Sequence, residues 1–411
     1  MTCNRTVHVA VPVLNEPDTL LKCLEGLRAQ NYSLIELWFC VNQPESWHTC
    51  ADRQTICHTN QESLQLLQSQ PGLHVIDKCS PGNGWDDKKA GVGLARKTLM
   101  DQIAETASPS DLILSLDADT WCPPDYVADA VQVFTSHPAT IALAAPYYHR
   151  LTGDTRLDTA MLRYELYLRY YTLNMWRIGS PYNYTALGSA ICLPVKEYRR
   201  MGGMSPRSSG EDFYFLQQLI KLGRVRHWIP SAVYPATRTS DRVPYGTGHA
   251  LSLKRDGAGG HRYPLFSHEH FDDVGQTLNG LKDCYDTSKE LPLTDFLKSQ
   301  LNTDDPWATL RANHNTPERF LRACHERLDG LRTLQYLKAA YTLNPIDDTT
   351  ALIHWMKRTD HPSTFTTDLE HWSRELTRHP LEEQTVASLD RIRNLLRDME
   401  HHYRKRDDDT D

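Results

Sequence analysis

The chain has no long apolar run: none of its hydrophobic stretches approaches the roughly 18 residues needed to cross a bilayer. A surplus of basic charge is also missing. Against 45 Lys+Arg stand 52 Asp+Glu, a net charge of −7, so nucleic acid is not expected as the main partner, because phosphate binding needs a basic face. The ten cysteines run from Cys3 to Cys324 without one C-x-x-C pair, which fits reduced thiols rather than a disulfide framework. Glycine (21) and proline (23) are too few for collagen-like or low-complexity sequence, and no internal repeat is found. Met1-Thr2-Cys3-Asn4-Arg5 runs directly into Val7, which leaves no space for a signal peptide. A cytoplasmic location is therefore expected. With 411 residues, 40% of them apolar, there is material for two or three domains.

Val7-His8-Val9-Ala10-Val11-Pro12-Val13 reads as a buried strand, and Asn15-Glu16-Pro17-Asp18 turns it into a helix with Leu20, Leu21, Leu24 and Leu27 on one face. Further strands are expected at Ile35–Val41, Leu73–Ile76 and Leu112–Leu116, with a helix around Ala90–Ile103 before the last. Such alternation predicts an α/β fold whose mostly parallel sheet is covered by helices on both faces. Ligands then sit at the carboxyl ends of the strands, where strand order reverses. From Thr159 to Arg177, Met161, Tyr164, Leu168, Tyr171 and Met175 recur at helical spacing, with Arg163, Glu165 and Arg169 turned elsewhere. Gly188–Leu193 reads as a strand. A glycine-rich stretch, residues 256–275, is expected to be a mobile linker between residues 1–255 and a helical region over 276–411. Within that region Thr316-Pro317-Glu318 is a helix start, and Val386, Leu389, Ile392, Leu396, Met399 and Tyr403 form an apolar stripe. The tail Arg404-Lys405-Arg406-Asp407-Asp408-Asp409 reads as solvated.

The strand Leu112–Leu116 ends in Asp117-Ala118-Asp119, two carboxylates on one side of an extended chain. Paired hard oxygens there suit Mg²⁺ or Mn²⁺ bound with a diphosphate. Later, Gly210-Glu211-Asp212 opens a helical pattern; negative charge at a helix start has a structural explanation in the dipole as well as a catalytic one. The segment with Arg238, Arg242 and Gly246-Thr247-Gly248-His249 is rich in phosphate-binding residue types. Two other clusters, His48/Cys50/Cys57/His58 and His268-Glu269-His270, lack the spacing of a metal module.

Pro12-Val13-Leu14-Asn15-Glu16, the D-x-D at Asp117–Asp119 and the later Glu211-Asp212, in this order, resemble the family 2 glycosyltransferases of GT-A fold. The resemblance covers roughly Val7 to Ala250. It implies Asn15 and Glu16 at the nucleoside end of a donor pocket, Asp117 near the ribose and as a metal ligand with Asp119, and Arg96 on the nucleotide. It further implies His249 as a third metal ligand, Arg238 and Arg242 on the diphosphate, and Asp212 beside Glu211 as general base. Where family members carry an acidic residue after the second strand, Val41-Asn42-Gln43 offers amides. The implied reaction moves a sugar from a nucleotide-diphosphate donor to the hydroxyl of a glycan, a lipid-linked acceptor or a small molecule, with inversion. A lipid-linked acceptor would bring peripheral contact with the inner face of a membrane. The alternatives are a retaining GT-A transferase making a small glycoside, a sugar-phosphate nucleotidyltransferase and an inactive GT-A scaffold.

Overall fold

The computed structural model describes residues 5–207, 210–237 and 263–408. The chain divides into two compact units: the first takes the described residues within Met1–Met161, Tyr184–Leu253 and Arg404–Asp411, the second those within Leu162–Asn183 and Lys254–Tyr403.

In the first unit, β1 (Val7–Val13), α1 (Leu20–Arg28), β2 (Ile35–Asn42), α2 (Gln54–Gln68), β3 (Leu73–Lys78), α3 (Val92–Thr106) and β4 (Leu112–Ser115) alternate as expected. After α4 (Tyr126–Ser136) and β5 (Ala142–Ala144), helix α5 (Thr155–Arg177) begins in this unit and continues into the second. The chain then returns with β6 (Ile191–Pro194), α6 (Val195–Arg200), α7 (Glu211–Leu222) and β7 (Val225–Arg226). The strands form one sheet in the order β3-β2-β1-β4-β6-β5-β7. Parallel pairs join β3, β2, β1 and β4, whereas β6 runs antiparallel to both β4 and β5. Every residue of β1 is buried, as a strand covered on both faces must be; full burial of a valine side chain contributes about 1.5–3 kcal/mol.

Because β1 pairs with β2 on one side and β4 on the other, the strand order reverses between β1 and β4. The loops leaving those two strands begin at Asn15 and Asp117, which places both motifs at the topological switch point.

Three expectations need correction here. Leu21 is 47% exposed and Cys23 takes the buried position on α1. Gly188–Ala190 is a 3₁₀ turn, so the strand starts only at Ile191. The tail is solvated only in part: Lys405 and Arg406 are exposed, but Arg404, 3% exposed, donates to the carbonyls of His227 and Ala144, and Arg224 and Arg226 pair with Asp407 and Asp408. Charged groups there bond the backbone around the short edge strand β7, a role that a run of alternating charges does not disclose. Asp409 lies outside the described residues.

The second unit is helical. Its apolar core includes Val274, Leu281, Leu293, Leu297, Trp307, Phe320 and Cys324. Thr316 caps Pro317–Arg327 by accepting from the Arg319 amide, as its sequence implies. Of the stretch read as a linker, residues 256–262 lie outside the described residues, and from His268 the chain is helical as far as Gly280. The α5 stripe is only in part the one read above: Met161 and Met175 are buried with Leu166, Tyr170 and Leu173, while Tyr164, Leu168 and Tyr171 are half-buried. Glu165 and Arg169 point inward, because Arg169 pairs with Glu165 and Glu400 and Arg393 pairs with Glu165. No described helix is long and apolar enough to cross a membrane.

Candidate functional site

The site is built around Arg96. Helix α3 carries this residue into the interior, where it is 1% exposed and hydrogen-bonds to oxygens of four residues. Nη2 donates to Asp117 Oδ1 at 2.8 Å, Nη1 to the Gly188 carbonyl at 3.0 Å and to Ser115 Oγ, and Nε to Glu211 Oε1 at 3.4 Å. Ser115 Oγ in turn donates to the Gly188 carbonyl at 2.6 Å. Glycine is required at 188, since a Cβ there would run into the guanidinium. Gly93, one turn before Arg96 on α3, lies against the Arg207 backbone just upstream of the acidic pair, and a Cβ there would displace that segment.

Asp117 and Asp119 occupy the turn after β4, closed by the Thr120 amide donating to the Asp117 carbonyl at 3.0 Å. Both are half-buried. Together with Glu16 they concentrate negative charge at the ends of β1 and β4. Burial, with smaller contributions from Cys122, Asp119, Asp117 and Glu16, pushes the Cys23 thiol well above its ordinary value.

Gly210, at φ +70°, opens α7, and Glu211 follows at 4% exposure. Burial pushes Glu211 up to about 7, with Asp212 adding to the shift and Arg96 opposing it. Asp212 is raised by the same cause, against the pull of Arg96 and of the Phe213 amide, which donates to its Oδ1 at 2.8 Å. A carboxyl held near neutrality can exchange a proton with a bound hydroxyl, which one at its ordinary value does poorly.

At the end of β1, Asn15 adopts a left-handed φ of 53° and its amide donates to Asn60 Oδ1 at 2.8 Å. Asn60 Nδ2 donates to the fully buried Gln43 at 2.8 Å, and the Asn42 side-chain amide donates to the Val13 carbonyl at 2.9 Å. The amides after β2 thus hold the backbone of the Asn15 turn. Glu16 is buried and accepts from Thr19 Oγ1 at 2.8 Å. After β3, Asp77 accepts from the amides of Cys79 and Ser80 at 2.9 Å and from Asn83. Those bonds outweigh its partial burial and hold it at about 2.

The structure therefore brings Arg96, Asp117, Glu211 and Asp212 together, and leaves Asn15 and Glu16 at the neighbouring strand end. Arg238, Arg242 and His249 lie outside the described residues. Among the described residues no group of three or more His, Cys, Asp or Glu is placed to hold a metal, at His48–His58 and His268–His270 included, and no disulfide forms. Sequence reasoning missed Ser115, Gly188 and Asn60. Ser115 left one trace, a hydroxyl closing the apolar run Leu112-Ile113-Leu114; Asn60 left none.

Residues 112–255 match the family model described as Glycosyl transferase family group 2. The match covers less than half of the chain. That stretch contains Asp117, Asp119, Glu211, Asp212 and the Arg238–His249 segment, so the resemblance drawn from the motifs holds, and with it the enzyme class. No curated protein matches. Among solved structures the chain is similar to S. aureus TarS 1-349 in complex with UDP-GlcNAc, at 14% identity over 97% of this chain and 92% of that one, TM-score 0.42. It is also similar to the mannosyltransferase PcManGT from Pyrobaculum calidifontis in complex with GDP-Man and Mn²⁺, at 13% identity over 97% and 88%, TM-score 0.36.

Proposed function

We propose that this glycosyltransferase moves a sugar from a nucleotide-diphosphate donor to an acceptor hydroxyl with inversion, Asp212 taking the hydroxyl proton beside Glu211. The observation that carries this reading is the convergence of Asp117, Glu211 and Asp212 on one buried arginine at the switch point of the sheet. Arg96 is spent on protein oxygens, so its part is to hold the carboxylates rather than to touch the nucleotide. Asn15 and Glu16 line the nucleoside end, and Arg238 and Arg242 take the diphosphate.

The donor set suits Mg²⁺ or Mn²⁺: hard oxygens of Asp117 and Asp119 in a locally negative field, with diphosphate oxygens completing the shell and His249 available from the later segment. When bound, such a cation neutralises charge on the departing nucleotide diphosphate. Asp212 accepts the proton as the acceptor oxygen forms its bond to the anomeric carbon. The protein works in the cytoplasm, and a lipid-linked acceptor would place it at the inner face of the membrane.

Screening UDP-, GDP- and TDP-sugars for nucleotide release with Mn²⁺ or Mg²⁺ tests the reading, and product stereochemistry tests inversion. Release with no donor, with or without cation, would remove it.

A further inference from the structure

Past the D-x-D turn, the chain builds a second feature that the donor chemistry does not use. Arg150 is exposed, and its guanidinium carbon lies 4.3 Å from the ring centres of both Trp121 and Tyr234. The seat is rigid. Trp121 and Tyr234 exchange two backbone hydrogen bonds of 3.1 and 2.8 Å, and the Tyr148 amide donates to the Val233 carbonyl at 2.9 Å. Thr237 Oγ1 donates to the Arg150 carbonyl at 2.8 Å. The two rings stand 5.2 Å apart with Tyr148 against Tyr234. Cation–π contacts thus fix the planar group by its faces, contacts worth about 0.5–1 kcal/mol at an exposed position. Its N–H edge is left open: no described carboxylate pairs with it. This contrasts with Arg96, whose three nitrogens each donate to a protein oxygen.

We propose that Arg150 is an oxyanion-recognition residue for the acceptor, so that the sugar is passed to a molecule bearing a phosphate or carboxylate group. Two arguments support this. A guanidinium fork matches both oxyanions bidentately, and one held in advance loses little rotamer freedom on binding. The position also borders the reaction centre: Trp121, whose ring carries the guanidinium, follows Asp119 by two residues, so an acceptor approaching the donor carboxylates passes the open edge of Arg150. The inference rests on the donor-site reading above.

The test uses full-length protein carrying 5-fluorotryptophan, with the Trp121 resonance assigned through Trp121→Phe. The protein is saturated with the nucleotide and cation that stabilise it, then titrated with methyl phosphate, acetate and neutral dimethyl sulfone. A saturable shift of the Trp121 signal is expected with methyl phosphate or acetate, whichever is the acceptor's group, and none with the sulfone. In Arg150→Gln the anion's dissociation constant should rise about tenfold or more, with Arg150→Lys between, while melting temperature and nucleotide-dependent stabilisation stay unchanged. An unaltered anion affinity in Arg150→Gln, or no saturable shift with either anion, would overturn the proposal. So would a loss confined to nucleotide binding, which would move Arg150 into the donor pocket. If no nucleotide stabilises the wild type yet the anion still binds through Arg150, the donor reading fails and the anion site stands.

Discussion

Two arrays of buried charge, one in each unit, are assembled from the same residue types to opposite effect. In the helical unit Arg169 and Arg393 meet Glu165 and Glu400, all four side chains at most 1% exposed, and Arg393 also pairs with the half-buried Asp390. In the sheet unit a single cation, Arg96, faces Asp117 and Glu211, with Asp212 beside them. Burying an ion costs several kcal/mol unless its partners offset the loss of water. The array with two arginines offsets that cost and joins Glu165 and Arg169 of α5 to Arg393 and Glu400 of the C-terminal helix Val386–Asp408. The array with one arginine leaves one carboxyl that resists ionisation, Glu211 at about 7, and so keeps a group able to trade protons near neutral pH. Burial raises Glu211 and the neighbouring Asp212 adds to it, against the pull of a single arginine.

The sharpest way to break this comparison is Asp212→Asn. Turnover should fall about 10²–10⁴-fold while nucleotide-dependent stabilisation persists, read by steady-state kinetics beside thermal melts. Turnover within a few fold of wild type would make Asp212 a helix-start carboxylate and bring the retaining mechanism forward. Next in size are Arg96→Met and Arg393→Met. Each strands buried carboxylates and should cost on the order of 3–5 kcal/mol in urea unfolding. Only Arg96→Met should also lose the stabilisation by nucleotide and cation; if both variants lose it, the two arrays are not functionally distinct.

Glu211→Gln sharpens the electrostatic side. Its pKa in the fold lies above the unfolded value of 4.5, so the native state holds a proton that the unfolded chain releases. Wild-type stability should therefore fall as pH rises from about 4.5 to about 7, by up to about 2–3 kcal/mol, and change little above that. Urea midpoints at pH 5, 6, 7 and 8 should show the wild-type advantage over Glu211→Gln shrinking across this window. An advantage independent of pH would mean that Glu211 is ionised throughout. The smallest effect is the reference. Thr316→Ala removes one helix cap outside both arrays and should cost about 1 kcal/mol with unchanged kinetics.

Legibility followed burial geometry. β1 was read to the residue because a strand covered on both faces must be apolar throughout, and Asn15 and Asp117 were legible because a carboxyl strand end is where such a sheet binds ligands. Helix α5 was read only in part: Met161 and Met175 are buried as expected, but Glu165 and Arg169 are buried too, since a charged residue counts as outward until its counter-ion is known, and Arg393 and Glu400 lie more than 220 residues along the chain. The C-terminal charges failed for the same reason: Arg226 stands 182 residues before Asp408.

At the site the division is similar. Asp117, Asp119, Glu211 and Asp212 are local motifs, each marked by its own strand end or helix start, and with Pro12-Val13-Leu14-Asn15-Glu16 they carry the family resemblance. By itself the sequence determined the alternating strands and helices, the two acidic motifs and the enzyme class, all of which are written in contiguous residues. That Arg96 bonds Asp117, Glu211, Ser115 and the Gly188 carbonyl, that Gly188 must lack a side chain, and that burial raises Glu211 to about 7 were decided only by the tertiary structure. A pKa and a clash are sums over neighbours in space, and the neighbours of Arg96 lie 19, 21, 92 and 115 residues away.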